Sequence, residues 1–305
     1  MWCSAFFVFR ICLNERYLYM TSSSSSGLKP TACRTLLSLS ICVLSSFAIF
    51  MKSHAAVKPT TLETIKKKKE LVVCSESGYI PLEMKTASGK WLGFDFEMMS
   101  AYAKELDVKL TMADTKWDGI IPSLISSKCD MIASSMAKTE ERERAVAFSE
   151  PYYDNKFLIA VLDNSENKEK FKNLKSFNLK GIKIAVKTGS APDLYIKNSG
   201  QLKNAEIMRF DADADTVSAV LRSRATAFIY DTPYVKLAAL NNPGKLYIIP
   251  DAFNGDQFAV AMRKKDADLL KSFNSFLTDW KKNGGYEKTM KYYFEEREWL
   301  SLLDK

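Results

Sequence analysis

Histidine is nearly absent from this 305-residue chain: His54 is the only one, and it lies in an N-terminal leader. The residues after it carry no imidazole. That excludes Ser-His-Asp and Cys-His nucleophile pairs, histidine-bearing zinc sites and the commonest general base of neutral pH. Phosphate-cradling motifs are missing as well, since neither GxxxxGK[ST] nor GxGxxG occurs. One run, Asp211-Ala-Asp-Ala-Asp215, has the spacing of a calcium loop. It fails because Thr216 replaces the turn glycine and Arg222 replaces the bidentate glutamate. One of these aspartates is expected to cap the helix that follows. No metal and no cofactor is implied.

Cysteine is scarce once the leader is set aside. Cys3, Cys12, Cys33 and Cys42 precede residue 56, leaving Cys74 and Cys129. In an oxidising compartment these two could pair. The favoured expectation is two small buried hydrophobes, because both sit in apolar strand-like runs and no loop constrains them to meet. Repeats of 20–50 residues are absent, and the run Ser22–Ser26 is the only low-complexity tract. A concentrated basic charge is lacking too. The formal +8 includes Arg10, Arg16, Lys29, Arg34 and Lys52 against Glu15 alone, so the rest carries about +4. That is too weak and mixed for nucleic acid.

What is present begins with the leader. Residues 36–51 form a 16-residue uncharged stretch after Lys29 and Arg34, and Ser53-His54-Ala55 follows. A bilayer span needs roughly 20 apolar residues. The segment therefore reads as a secretory signal cut after Ala55, which places the mature protein in the periplasm. Met20 is a candidate start, and Ile41 before Cys42 is too bulky for a lipoprotein signal.

From Thr61 onward, short β-branched runs alternate with amphipathic stretches. Strands are expected at 70–74, 109–112 and 130–133, with helices at 97–106 and 119–125 and another opened by Thr139-Glu140-Glu141. A second set starts near Phe157, with strands at 182–186, 207–210 and 227–230, a helix at 216–222, a strand at 258–262 and a long helix at 269–280. Lys66 to Lys69 reads as a solvated helix end. Such βαβ order specifies an α/β chain with largely parallel sheets. At 305 residues it has room for two domains.

In open α/β sheets ligands bind beyond the carboxyl ends of the strands. Those ends carry Glu76 and Tyr79, then Trp117, then Ser134, Ser135 and Arg142, then Lys187 and Ser190, and finally Asp231. A free amino acid needs a guanidinium for its carboxylate, a carboxylate for its ammonium and apolar walls for its stem. Arg142, Asp231, and the pair Tyr79 and Trp117 supply those three in turn. Taken singly, each also fits a duller role, such as a solvated helix face for Arg142 or a turn-former for Asp231.

Several ordered blocks carry a resemblance. Leu71-Val-Val-Cys-Ser-Glu-Ser-Gly-Tyr79-Ile-Pro81, Gly93-Phe-Asp-Phe-Glu-Met98, Trp117-Asp-Gly-Ile-Ile-Pro-Ser-Leu124 and Asp130-Met-Ile-Ala-Ser-Ser-Met136 are four of them. Thr139-Glu-Glu-Arg142, Phe148-Ser-Glu-Pro-Tyr-Tyr153, Ile229-Tyr-Asp-Thr-Pro233 and Gly285-Tyr-Glu-Lys288 complete the set. Together, over roughly residues 61–294, they resemble the polar amino-acid family of extracellular solute-binding proteins, the receptors of ABC importers.

The resemblance implies a two-lobe periplasmic-binding-protein fold of type II. Lobe 1 would comprise 56–153 and 257–305, lobe 2 would comprise 157–250, and the hinge would lie at 154–156 and 251–256. Arg142 would clamp the ligand carboxylate with backbone amides near Ser135 and Ala137 and the Ser190 loop. Asp231 would hold the ammonium, Tyr79 and Trp117 would stack on the side chain, and Glu76 and Lys187 would read its polar end. The implied partners are a polar amino acid and a permease in the inner membrane, and the implied state is a monomer. Glu76 beside Trp117 favours a basic side chain; Lys187 pulls towards glutamine. Ala137, where many relatives have a hydroxyl, Thr226 in place of the usual aspartate, and a tail at 295–305 that looks helical are departures from the pattern. Two alternatives stand beside the receptor: a periplasmic dehydratase-like enzyme on the same fold, and a ligand-binding sensor module.

Overall fold

The computed structural model describes residues 58–296 and 298–304. The expectations for the leader, its cleavage point, its four cysteines and His54 lie outside the described residues.

The chain opens with helix α1 (Thr61–Lys68). Thr60 and Glu63 form a reciprocal capping box, and the helix ends on lysines with Lys69 in the left-handed conformation. The expected lysine-rich helix end is this last turn. Strand β1 (Glu70–Ser75) and the short hairpin β2 (Met84–Lys85) and β3 (Trp91–Leu92) follow, then α2 (Phe94–Glu105), β4 (Lys109–Asp114), α3 (Trp117–Ile125) and β5 (Met131–Ile132). Next come α4 (Glu140–Glu143), β6 (Ala147–Phe148), the ten-residue β7 (Tyr153–Leu162) and α5 (Ser165–Lys170). The remainder is β8 (Lys183–Lys187), α6 (Ala191–Ser199), β9 (Glu206–Phe210), α7 (Asp213–Leu221), β10 (Ala227–Asp231), α8 (Thr232–Asn241), β11 (Leu246–Ile248), β12 (Phe253–Phe258), β13 (Ala261–Met262), α9 (Ala267–Lys282) and α10 (Gly285–Met290).

These strands build two main sheets. The first runs β4-β1-β5-β13-β6 and the second β11-β7-β10-β8-β9, with β12 paired to β7. β1 is parallel to β4 and β5, and β8 is parallel to β9 and β10, as the alternating pattern predicts. The expected strand at 258–262 is two strands, because the chain changes sheets there. Phe258 pairs with Tyr153, whereas Ala261 pairs with Ile132 and Phe148.

Two local features lock the first sheet. Gly93 enters α2 at φ 121°, and a Cβ there would lie 2.2 Å from the Leu82 carbonyl oxygen, so only glycine allows this approach. The helix then buries Phe94, Met98, Met99 and Tyr102 on one face, each stabilising the fold by roughly 1.5–3 kcal/mol. Cys74 at the end of β1 is disulfide-bonded to Cys129, with their Cα atoms 5.7 Å apart. This corrects the expectation of two independent buried hydrophobes. The parallel register of β1 on β5 brings the turn that precedes β5 alongside Cys74, a meeting that no sequence spacing announces.

The tail winds through a wide turn (Lys291–Glu296) and a tight 3₁₀ turn (Glu298–Leu302). Trp299 is buried there and donates its indole N–H to the Tyr293 carbonyl at 2.9 Å. Among the described residues no helix is long and apolar enough to cross a membrane.

Candidate functional site

The carboxyl ends of both sheets' parallel strands meet around a small cavity of about 30 Å³. All ten residues expected from the sequence line it: Glu76, Tyr79, Trp117, Ser134, Ser135, Ala137 and Arg142 from the side of the first sheet, and Lys187, Ser190 and Asp231 from the second. Glu83, Ala191 and Tyr230 complete the lining and were not anticipated.

Arg142 comes from the one-turn helix α4, whose start is set by Thr139 accepting the Arg142 backbone N–H at 3.3 Å. Its guanidinium is buried. It donates through Nη1 to the Ala137 carbonyl at 2.8 Å and through Nη2 to the Gly189 carbonyl at 3.1 Å, and lies 5.0 Å from the centre of the Trp117 ring. Burial pulls its pKa down to about 10, while Asp256 and Asp231 work against that fall. The group stays cationic at neutral pH. With five donors and two given to carbonyls, it has N–H groups left for a bound carboxylate.

Asp231 ends β10 and stands at the N-cap of α8, yet its side chain makes no capping bond. Its carboxylate instead accepts from the Tyr79 hydroxyl at 3.1 Å and from Asn155 Nδ2 at 2.5 Å. Burial, then the neighbouring Asp256, push its pKa up to about 8, against the hydrogen bonds from Asn155 and Tyr79 and the charge of Arg142. A ligand ammonium is the partner that such a carboxylate lacks.

Glu76 and Lys187 also line the cavity, with Asp213 behind them. The Lys187 ammonium bonds Glu76 from across the cleft and Asp213 Oδ2 at 3.0 Å, 5.5 Å from the Trp117 ring centre. Burial opposes its charge, but Asp213 and Glu76 more than offset that and raise its pKa. Asp213 also accepts from the Tyr230 hydroxyl. None of the aspartates at 211–215 caps α7, whose N-cap is Ala212 without a side-chain bond. The capping expectation gives way because Asp213 is claimed by a buried lysine.

The Ser135 backbone N–H, expected to help hold a ligand carboxylate, donates to Asp95 at 2.7 Å, and the Ala137 carbonyl accepts from Arg142. The Ser134 and Ser135 hydroxyls both donate to Glu83, at 3.2 and 2.9 Å. Trp117 donates its indole N–H to the Gly189 carbonyl at 3.2 Å and carries two cations over its ring. Ser190 caps α6 by accepting from Asp193 N at 3.4 Å, which sets that helix's N-terminus at the cavity.

Glu83 sits 1% exposed beside Asp95 at 0%. Burial and then their mutual repulsion raise Glu83, and burial raises Asp95 to about 6 despite bonds from Ser135 and Tyr152. The only sequence signal for Glu83 was its place just after Tyr79-Ile-Pro81. Tyr230 had none beyond preceding Asp231.

Comparison with known proteins matches residues 71–296 to the bacterial extracellular solute-binding proteins, family 3. The chain belongs to this family. A probable histidine-binding protein of Campylobacter jejuni is 31% identical over 224 residues, 73% of this chain and 84% of the relative. An L-arginine-binding protein of Pseudomonas aeruginosa is 28% identical, covering 78% and 93%. Among solved structures, an ancestral amino acid-binding protein described as a precursor of cyclohexadienyl dehydratase superposes with a TM-score of 0.72 at 33% identity, covering 77% of this chain and all of that one. The family member described here thus has the type II two-lobe fold of the periplasmic binding proteins.

Proposed function

We propose that this protein is the extracytoplasmic receptor of an ABC importer and closes its lobes on a polar L-amino acid with a basic side chain. One observation carries the amino-acid reading: a buried guanidinium, Arg142, and a buried carboxylate, Asp231, line the same small cavity from the two sheets. They match the two charged ends of a zwitterion. The basic preference is supported by Glu76, Asp213 and Trp117, which already surround a cation, the Lys187 ammonium. A ligand's cationic tip would take that place once Lys187 turned aside. The relatives named for histidine and arginine fit this choice.

In this reading lobe 1 comprises 56–153 and 257–305 and lobe 2 comprises 157–250. The crossings at 154–156 and 251–256 act as the hinge. A signal peptide is removed after Ala55, the protein is a periplasmic monomer, and its partner is an inner-membrane permease.

Lys187 itself favours a second ligand. If it stays paired with Glu76, the two bracket a neutral carboxamide and glutamine becomes the better fit. A dehydratase-like enzyme is the third reading, and the presence of both zwitterion anchors speaks for a receptor. Calorimetry with the twenty amino acids and ornithine tests all three. Tight binding of arginine, lysine or histidine supports the proposal, glutamine alone selects the second, and turnover of arogenate without tight amino-acid binding selects the enzyme.

A further inference from the structure

Asn155 was not among the expected site residues and does not line the cavity, yet its side chain has a partner at every polar position that this place allows. It is 2% exposed on β7, directly opposite Asp256 of β12. These two strands are the ones that connect the sheets. The Asn155 carbonyl oxygen accepts the backbone N–H of Thr232 at 3.2 Å, the first residue of α8. That bond fixes which end of the carboxamide faces which way. The amide nitrogen is then left to donate to Asp231 Oδ1 at 2.5 Å and to Asp256 Oδ1 at 3.0 Å.

This arrangement does two things at once. Asp231 stands at an N-cap position, where an aspartate side chain ordinarily turns back onto its own helix. Here Pro233 at the second helical position offers no N–H and Asn155 takes that of Thr232, while the Asp231 carboxylate makes no capping bond and is held by Asn155 and Tyr79. Asn155 also separates two carboxylates that would otherwise meet with no donor between them. Asp256 has no other partner to spare: its Oδ2 is buried without a hydrogen bond among the described residues. The charged and titratable groups around this cluster are Tyr79 after β1, Arg142 on α4, Tyr153 on β7, Tyr230 and Asp231 on β10, and Asp256 on β12.

We propose that Asn155 is a positioning residue for amino-acid binding: from the hinge strand it aims the Asp231 carboxylate at the ligand's ammonium and insulates it from Asp256. The inference rests on the reading of this cleft as an amino-acid site. It assigns part of the affinity to a residue that touches no ligand and stands where the lobes pivot.

The test uses the purified protein and calorimetric titration with L-arginine, L-lysine, L-histidine and L-glutamine at pH 5 and pH 8. The ligand that wild type binds most tightly is carried forward to the variants N155A and N155D. Removing the donor in N155A is expected to weaken binding at least about tenfold. N155D keeps the shape but puts a third carboxylate between two others. Relative to wild type at the same pH, its affinity is expected to fall about fiftyfold or more at pH 8. At pH 5 it should return to within about fivefold, because the introduced carboxyl is protonated and its one O–H restores the bond to Asp231. That pH-dependent recovery is not expected of a residue that merely fills space, and it decides the matter should N155A fail to fold. N155A within twofold of wild type, or an N155D deficit equal at both pH values, overturns the proposal while the amino-acid reading stands. A wild-type protein that takes none of the four ligands overturns that reading and this inference together.

Discussion

The two walls of the cleft are built to different standards. The wall from the β1 sheet is braced behind its surface: a disulfide ties β1 to the approach of β5, and Glu83 and Asp95 knit the Ser134–Ser135 turn to α2. The wall from the β8–β10 side is held by charged pairs instead. It presents Lys187 and Asp231 at strand ends, the first neutralised by carboxylates and the second held by groups from other elements. In the reading proposed above, the first wall brings Arg142 to the ligand's carboxylate, and the second brings Asp231 to its ammonium and Lys187 to its side chain, where the choice of ligand is made.

The largest effect that could break this comparison is loss of either anchor. Arg142→Ala and Asp231→Ala should each weaken amino-acid binding by roughly 2–5 kcal/mol, since either leaves an unpaired buried charge. Titration calorimetry measures it, and a loss in only one variant would show that a single wall does the binding.

Next comes the brace itself. Replacing Cys74 and Cys129 together by alanine frees a loop of about 55 residues. This should cost about 4 kcal/mol of stability, read as a lowered unfolding midpoint. Ligand affinity should change little, because neither sulfur lines the cavity.

A smaller effect concerns the buried acids. Glu83 and Asp95 have folded pKa values above their ordinary ones, Asp95 near 6. The folded state therefore holds more protons than the unfolded one from about pH 4 upward, and these groups make stability fall as pH rises through the Asp95 value. Glu83→Gln should flatten that slope and raise stability on the alkaline side of the Asp95 value. Thermal melts across the pH range check it; an unchanged slope would mean the first wall is not carrying this charge burden.

The smallest effect sharpens the selecting wall. Lys187→Met should tighten L-arginine about tenfold by vacating the cation site, roughly 1.4 kcal/mol, and should weaken L-glutamine. The opposite pattern in paired titrations would make the second ligand the right one.

The sequence made the anchors legible because their chemistry is local: Arg142 follows a capped helix start, and Asp231 ends an apolar strand before a proline. Strand-end reasoning brought Trp117, Lys187 and the serines to the same cavity for the same reason. Glu83, Tyr230 and Asn155 stayed hidden because their roles depend on side chains brought from distant elements. Glu83 is organised by hydroxyls about fifty residues away, and Asn155 meets partners 76 and 101 residues on. The disulfide was missed likewise, since strand register and not spacing unites Cys74 and Cys129. Contact partners, too, were unreadable. Nothing in the residue order says that Ser135 N–H turns to Asp95 or that Asp213 serves a lysine and not a helix cap.

Where the walls touch, Trp117 and Arg142 both end on the same acceptor, the carbonyl oxygen of Gly189. That oxygen belongs to the main chain, so no side-chain replacement at position 189 deletes it. Its two donors are side chains that also line the cavity, so replacing Trp117 or Arg142 takes away a ligand contact and a bond between the walls in the same step.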